Sequence, residues 1–239
     1  MKITYIFHSS FCVELDQSVF IFDYYKGSIP HFSSEKNVYV FASHKHYDHY
    51  DPVIFSLASI YPNIHFILSN DIKMNEKYLT RMEIPEEVWD KIIYAKKNDM
   101  FYLNEDIKVE TLRSTDAGVA FIVTTKGKSI YHAGDLNWWT WNGETIKEYE
   151  EMTKQFQTEI QRIENRYFDV AFLPLDPRQE EKYDLGFDYF MNHTDTRYAI
   201  PMHFWEQPEV IDRIKAEPKA QGYQEKIIAL KKEGESYEL

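Results

Sequence analysis

Short runs of β-branched and aromatic residues, separated by polar turn formers, open the chain: Lys2–Phe7, 11–15 and 18–23 read as strands of a meander. Asn37–Ala42 is apolar at every position after the first, as a strand covered on both faces should be, and it leads directly into SHKHYDHYDP. Asp51 and Pro52 then supply a cap and a first-turn proline for a helix over VIFSLASIY, and HFILS from His65 returns as a strand. A helix is expected around 86–95, followed by a second β-rich block with strands near Phe101 and at Ile107–Arg113, 118–125 and 129–132. Over 144–166, Ile146, Tyr149, Met152, Phe156, Ile160 and Ile163 recur every three or four positions, which predicts a long amphipathic helix packed on the protein's own sheet in preference to a second subunit. Strands at 169–175 and 199–204 follow, and a helical tail rich in Glu and Lys closes the chain. With no linker, low-complexity segment or short repeat, the pattern predicts one α/β (α+β) domain over 1–239, built of two sheet-and-helix halves.

Composition adds limits to this picture. A chain of 239 residues, 44% hydrophobic and 16% aromatic, can bury a sizeable core. Its 39 acidic residues against 27 basic ones give a net charge of -12, and without a Lys/Arg run that balance argues against long nucleic acid or anionic lipid as a partner. Cys12 is the one cysteine, so no internal disulfide forms and a reducing, cytoplasmic compartment is expected. Apolar runs stay far below the roughly 20 residues needed to cross a bilayer. The expectation is a soluble protein acting on a small molecule, its oligomeric state open.

The chemistry gathers in three places. His44, His46, Asp48 and His49 lie within six residues at a strand end; in an extended segment His44 and His46 would point the same way and could grip one ion, with Asp48 and His49 placed for a second. Asp135, in HAGDLN, and His203, in PMHFW, each follow an apolar strand and are the obvious further donors. A solvated His-rich turn is the bland alternative, and four candidate ligands in six residues weigh against it. Gly127, Lys128 and Ser129 look like the end of a phosphate-binding loop, but Ile122 stands where that loop needs glycine, so KGKS reads as a hairpin turn.

Taken in order, HSSFCVEL with VFIFDYY, SHKHYDHYDP, HAGDLN and IPMHFW resemble the metallo-β-lactamase superfamily over nearly the whole chain, and in particular its branch of L-ascorbate-6-phosphate lactonase-like proteins. The resemblance implies a four-layer αββα sandwich and two divalent metal ions, zinc first and manganese second. By the same carry-over, His44 and His46 would bind one ion, Asp48, His49 and His203 the other, and Asp135 would bridge them. Asp23 would brace the His loop, an ordinary turn-capping aspartate being the alternative. The family commonly adds a third histidine to the first ion; TLRSTDAGVAF has none, and Asp116 is the carboxylate at hand, unless it is only a turn residue before Gly118. A di-iron redox branch of the fold carries glutamate where His46 stands, so hydrolysis is favoured.

The activity so implied is metal-assisted hydrolysis of an ester, lactone or related bond, a metal-bound hydroxide attacking and Asp48 orienting it and passing its proton on. A phosphodiesterase acting on a small nucleotide or lipid headgroup is the alternative, for which Arg113 or Arg178 would have to face the substrate. A noncatalytic metal- or ligand-binding protein is the alternative of another class. Trp138, Trp139, Trp141 and Trp205 follow ligand-bearing segments and divide between core and cleft wall. His132 and His193 are expected to be structural.

Overall fold

The computed structural model describes all 239 residues, which fall into two compact units, Met1–Lys96 with Leu230–Leu239 and Lys97–Ala229. In the first, β1 (Lys2–Phe7), β2 (Ser10–Glu14) and β3 (Ser18–Phe22) form the expected antiparallel meander, and β4 (Asn37–Ala42), β5 (Ile64–Ser69) and β6 (Ile92–Ala95) continue the sheet in parallel. Parallel strands need crossovers. A 3-10 helix at Pro52–Ser59 sits in the one after β4, and α1 (Glu76–Arg81) and α2 (Glu86–Trp89) in the one after β5. One face of this sheet carries Val19, Ile21, Val38, Val40, Phe66 and Leu68, packed in one apolar cluster with Ile54, Phe55, Leu79 and Val88 from the crossovers. The other face is aromatic: Phe22 stacks on Phe41 and Phe20 on Tyr39, all four buried.

Lys97–Ala229 repeats the plan. β7 (Met100–Asn104), β8 (Ile107–Arg113), β9 (Val119–Thr125) and β10 (Lys128–His132) are antiparallel, and β11 (Tyr167–Pro174) and β12 (Asp195–Met202) extend the sheet in parallel. Thr125 pairs with Lys128, which leaves a two-residue loop, and Lys126 and Gly127 both take positive φ there (46° and 74°). That is the twist-matched hairpin turn read from KGKS. α3 (Ile146–Gln161) and α4 (Leu185–His193) lie in the crossovers, and α5 (Glu209–Ala216) follows β12. α3 starts on a capping box in which Thr145 and Glu148 satisfy each other's backbone N–H.

The differences from the sequence reading are local. Residues 86–95 are not one helix: α2 stops at Trp89, and Ile92, Ile93 and Tyr94 pair with Phe66, Ile67 and Leu68 in β5, so non-local pairing of β-branched residues outweighs the short helical pattern. The helix after Asp51 is 3-10, although Asp51 does cap it by accepting from Val53 N. The stripe on α3 is buried at Phe156, Ile160 and, one turn beyond, Ile163; Tyr149 and Met152 are half-buried and Ile146 is 78% exposed. The tail is helical only as far as α5 and two 3-10 turns, then ends in β13 (Ser236–Glu238), which pairs antiparallel with β1. No helix is long and apolar enough to cross a membrane.

Candidate metal centre

In both units the polar residues of interest stand just past the carboxyl ends of parallel strands, where open α/β sheets place their ligands. Asp23 follows β3 and His44 follows β4; Asp135, Asp176 and His203 follow β10, β11 and β12. The peptide leaves β1, β3 and β12 through left-handed backbone at His8 (φ 55°), Asp23 (φ 46°) and His203 (φ 63°). Each is a non-glycine residue in a conformation that costs about 1 kcal/mol or more.

In the unit of β1–β6, the segment 43–49 is a run of bends and turns rather than the extended stretch expected, closed by His49 N and Tyr50 N donating to His46 O. The turn still clusters the rings: centroids of His44 lie 4.6 Å from His46 and 4.2 Å from His49. Asp23, wholly buried, organises them. Its Oδ1 accepts from Ser43 N (2.6 Å), and its Oδ2 accepts from Ser43 Oγ (2.6 Å) and His49 Nδ1 (2.7 Å). A carboxylate only accepts, so His49 carries its proton on Nδ1. Ser43 Oγ has donated its proton to Asp23 and must therefore accept from His44 Nδ1, 2.9 Å away. With Nδ1 so engaged in both rings, Nε2 is the nitrogen that can bind an ion.

His8, which sequence reasoning passed over, also belongs here. Its Nε2 is 3.7 Å from Asp48 Oδ2, its ring meets His49 edge-on, and potential ligand atoms of His8, Asp48 and His49 lie within 4.8 Å of one another. The signal was a lone histidine at the exit of a strand; nothing in its spacing tied it to a motif 40 residues on.

In Lys97–Ala229, Asp116, Asp135 and His203 converge. A carboxylate oxygen of Asp116 and one of Asp135 are within 4.8 Å of each other, and His203 Nε2 is 3.4 Å from Asp135 Oδ1. Asp116 is exposed and sits in a turn in which its N–H donates to Ser114 Oγ, so its turn role is real whatever else it does. His203 Nδ1 donates to Asp176 Oδ2 at 3.1 Å, which leaves Nε2 toward Asp135. Asp176 is a second residue that the sequence did not reveal. Burial pushes its carboxyl up, but hydrogen bonds from His203 and Arg178 outweigh that and hold it at about 2.

The tryptophans divide as expected. Trp139 is buried against His203 (5.4 Å between rings) and donates Nε1–H to Asp135 O; Trp138 packs on Phe156 of α3; Trp141, stacked on Trp139, is 40% exposed. His132 and His193 are structural: His132 Nδ1 accepts from Gly134 N, and His193 Nδ1 bonds Tyr189 O beneath a stacked Tyr189 ring. Arg113 presents its N–H to Glu159 Oε2 and lines, with Lys154 and Glu151, a separate cavity of about 300 Å³ beside α3.

The donor set suits divalent metal: imidazoles with Nδ1 tied to oxygen, beside carboxylates. Known proteins point the same way. A family model described as "Beta-lactamase superfamily domain" matches residues 2–149, well over half of the chain. Among solved structures, Igni18, a metallo hydrolase from Ignicoccus hospitalis, is 20% identical with a TM-score of 0.65, covering 100% of this chain and 98% of that one. An isothiocyanate hydrolase from Delia radicum gut bacteria is 13% identical (TM-score 0.52; 100% and 99% covered). Human tRNase Z, short form, is also 13% identical (TM-score 0.53; 85% and 93% covered). At such identities these structures speak for the fold alone. No curated protein matches. The family match, the two α/β sheet units and the histidine-carboxylate sets together make this chain a member of the β-lactamase superfamily, with its metallo-β-lactamase fold and the metal-dependent hydrolase character that goes with it.

Proposed function

We propose that the protein hydrolyses an ester, lactone or related bond of a small molecule, using two divalent ions, zinc before manganese, with His44, His46, Asp48, His49, Asp135 and His203 as ligands. The observation that carries the reading is the common polarity of three imidazoles. His44, His49 and His203 each commit Nδ1 to an oxygen, through Ser43, Asp23 and Asp176 respectively, so each directs Nε2 as a ligand. When bound, the ions supply Lewis acidity, activating water near neutral pH and stabilising negative charge at the attacked centre.

The protein's own groups do the rest. In this reading Asp48, which has His8 beside it, orients the attacking water and passes a proton to the leaving group. Asp23 and Asp176 keep the rings from turning. Asp116 supplements His44 and His46, and because oxygen replaces a third imidazole there, the first ion is the weaker and the more open to manganese. The half-exposed Trp141, stacked on Trp139, offers a flat apolar surface for the substrate body.

The phosphodiesterase alternative loses ground because neither arginine it needs is suited to it. Arg178 is neutralised by Asp176, and Arg113 faces the cavity beside α3. The test is zinc-loaded protein assayed on γ- and δ-lactones, aryl esters, a thioester and bis(p-nitrophenyl) phosphate. Metal-dependent turnover of lactones or esters, abolished in His49→Ala, is expected. Turnover confined to the phosphodiester, or none at all, overturns the substrate class.

A further inference from the structure

Arg178 departs from the ordinary behaviour of a half-exposed arginine. It follows Asp176 by two residues and folds back on it: Arg178 N and Nε reach Oδ1 at 2.9 and 3.0 Å, while Nε and Nη2 reach Oδ2 at 3.0 and 2.5 Å. Its guanidinium carbon lies 4.4 Å from the centre of the Trp205 ring and 5.6 Å from that of Trp141. Both indoles belong to the surroundings of His203: Trp205 meets the His203 ring edge-on at 5.6 Å, and Trp141 stacks on Trp139, itself 5.4 Å from His203.

Two roles compete for such a residue. An arginine beside a metal centre can bind an anionic part of the substrate. Here, however, its fork is already spent on a carboxylate whose side chain is fully buried, so the pair presents little net charge to a ligand. The other role is mechanical. Asp176 Oδ2 is the atom that accepts from His203 Nδ1, and the same carboxylate is held at both oxygens by Arg178. We propose that Arg178 is a positioning residue: clamped against Trp205 and Trp141, it fixes the Asp176 carboxylate, and through it the ring plane and Nδ1–H tautomer of His203. This rests on the reading of His203 as a metal ligand and adds what sets its aim. Lysine cannot substitute fully, because a single ammonium neither forks across two oxygens nor lies flat on an indole.

The test compares wild type, Arg178→Gln and Arg178→Lys, each labelled with 15N-histidine. The nitrogen shifts of His203 are read in mildly alkaline, metal-free protein, and zinc affinity is then measured by competition with a chelating dye. The expectation is Nδ1–H alone in wild type and mixed tautomers in Arg178→Gln, with zinc held roughly 10- to 100-fold more weakly. Arg178→Lys should fall between, and it serves as the readable variant if Arg178→Gln does not fold. Wild-type His203 shifts and zinc affinity in Arg178→Gln, with or without a lower melting temperature, would overturn the proposal. If wild type binds no zinc, the metal reading fails, while the tautomer comparison in metal-free protein still decides the role of Arg178.

Discussion

Replacing Asp23 with asparagine changes one oxygen to nitrogen and should reverse two histidines. Asparagine tolerates the left-handed backbone at position 23 as well as aspartate does, so the main chain has no reason to move. Its Oδ1 can go on accepting from Ser43 N, which places Nδ2 where Oδ2 now meets Ser43 Oγ and His49 Nδ1. Both contacts then change polarity. His49 must accept at Nδ1 and moves its proton to Nε2; Ser43 Oγ accepts from Nδ2 and turns its own proton onto His44 Nδ1, driving that ring to Nε2–H as well. Hydrogen bonds to a carboxylate, worth about 1.5–3 kcal/mol each, become neutral ones of about 0.5–1.5, so the fold loses roughly 1–3 kcal/mol. For a chain of this length that lowers Tm by roughly 2–12 °C. The loss in metal binding is larger in proportion, each ion being held about 10- to 100-fold more weakly. Nitrogen-15 spectra of the histidines in mildly alkaline, metal-free protein would show the swap directly, and calorimetry with zinc would show its cost. Lone pairs still on Nε2 of both His44 and His49 in Asp23→Asn would refute the reasoning from hydrogen-bond polarity.

Further outcomes are expected. Asp135→Ala should abolish hydrolysis with an unchanged far-ultraviolet circular dichroism spectrum, and wild-type turnover would remove Asp135 from the ligand set. Burial raises the Cys12 thiol to about 12, so at pH 8 only about one molecule in 10⁴ is thiolate and native protein should resist iodoacetamide that labels it in urea; labelling at equal rates in both would refute this. Gly186 leaves no room for a side chain, since a Cβ would overlap Asn137 Oδ1 and lie 2.9 Å from Trp138 N, so Gly186→Ala should cost about 1–3 kcal/mol in urea unfolding. Burial acts to raise the Glu110 carboxyl, but hydrogen bonds from Arg166 and Lys108 hold it below the usual range. Its contribution is therefore present in full above the ordinary carboxylate pKa and lost as pH falls through its lowered folded value. Arg166→Ala should cost roughly 1 kcal/mol at neutral pH, the pair being partly exposed, and less under acid, where equal losses at both would count against the pairing.

What could be read from the sequence follows the range of the interactions involved. β1, β4 and β8 run between the residues expected, because a continuous or alternating apolar run needs no distant partner to be recognised. β6 and β13 escaped, because Ile92–Ala95 becomes a strand by pairing with β5, and Ser236–Glu238 by pairing with β1 more than 230 residues away. The same holds at the candidate centre. His44, His46, Asp48 and His49 announce themselves by crowding, whereas Asp176 meets His203 only because β11 and β12 run side by side in parallel, with Pro174 opposite Met202. Nothing in the spacing of DPR and PMH encodes that register. Whether Asp116 is a ligand or a turn residue was open in the sequence because a carboxylate before glycine suits both.

The left-handed exits at His8, Asp23 and His203 carry a consequence for how this chain would respond to selection. At each, glycine would relieve the main chain, by about 1 kcal/mol on general grounds, while deleting a side chain of the candidate centre. Both histidines are buried, however, and His203 also bonds Asp176 and packs on Trp139, so a library sorted only for resistance to heat or protease should still keep a side chain at 203. It should hold aspartate at 23, where a buried carboxylate ties two segments together. Sorting the same library for zinc retention should narrow the choice at 203 to histidine alone, so that the divergence between the two enrichment maps marks where the side chain is kept for binding and not only for packing.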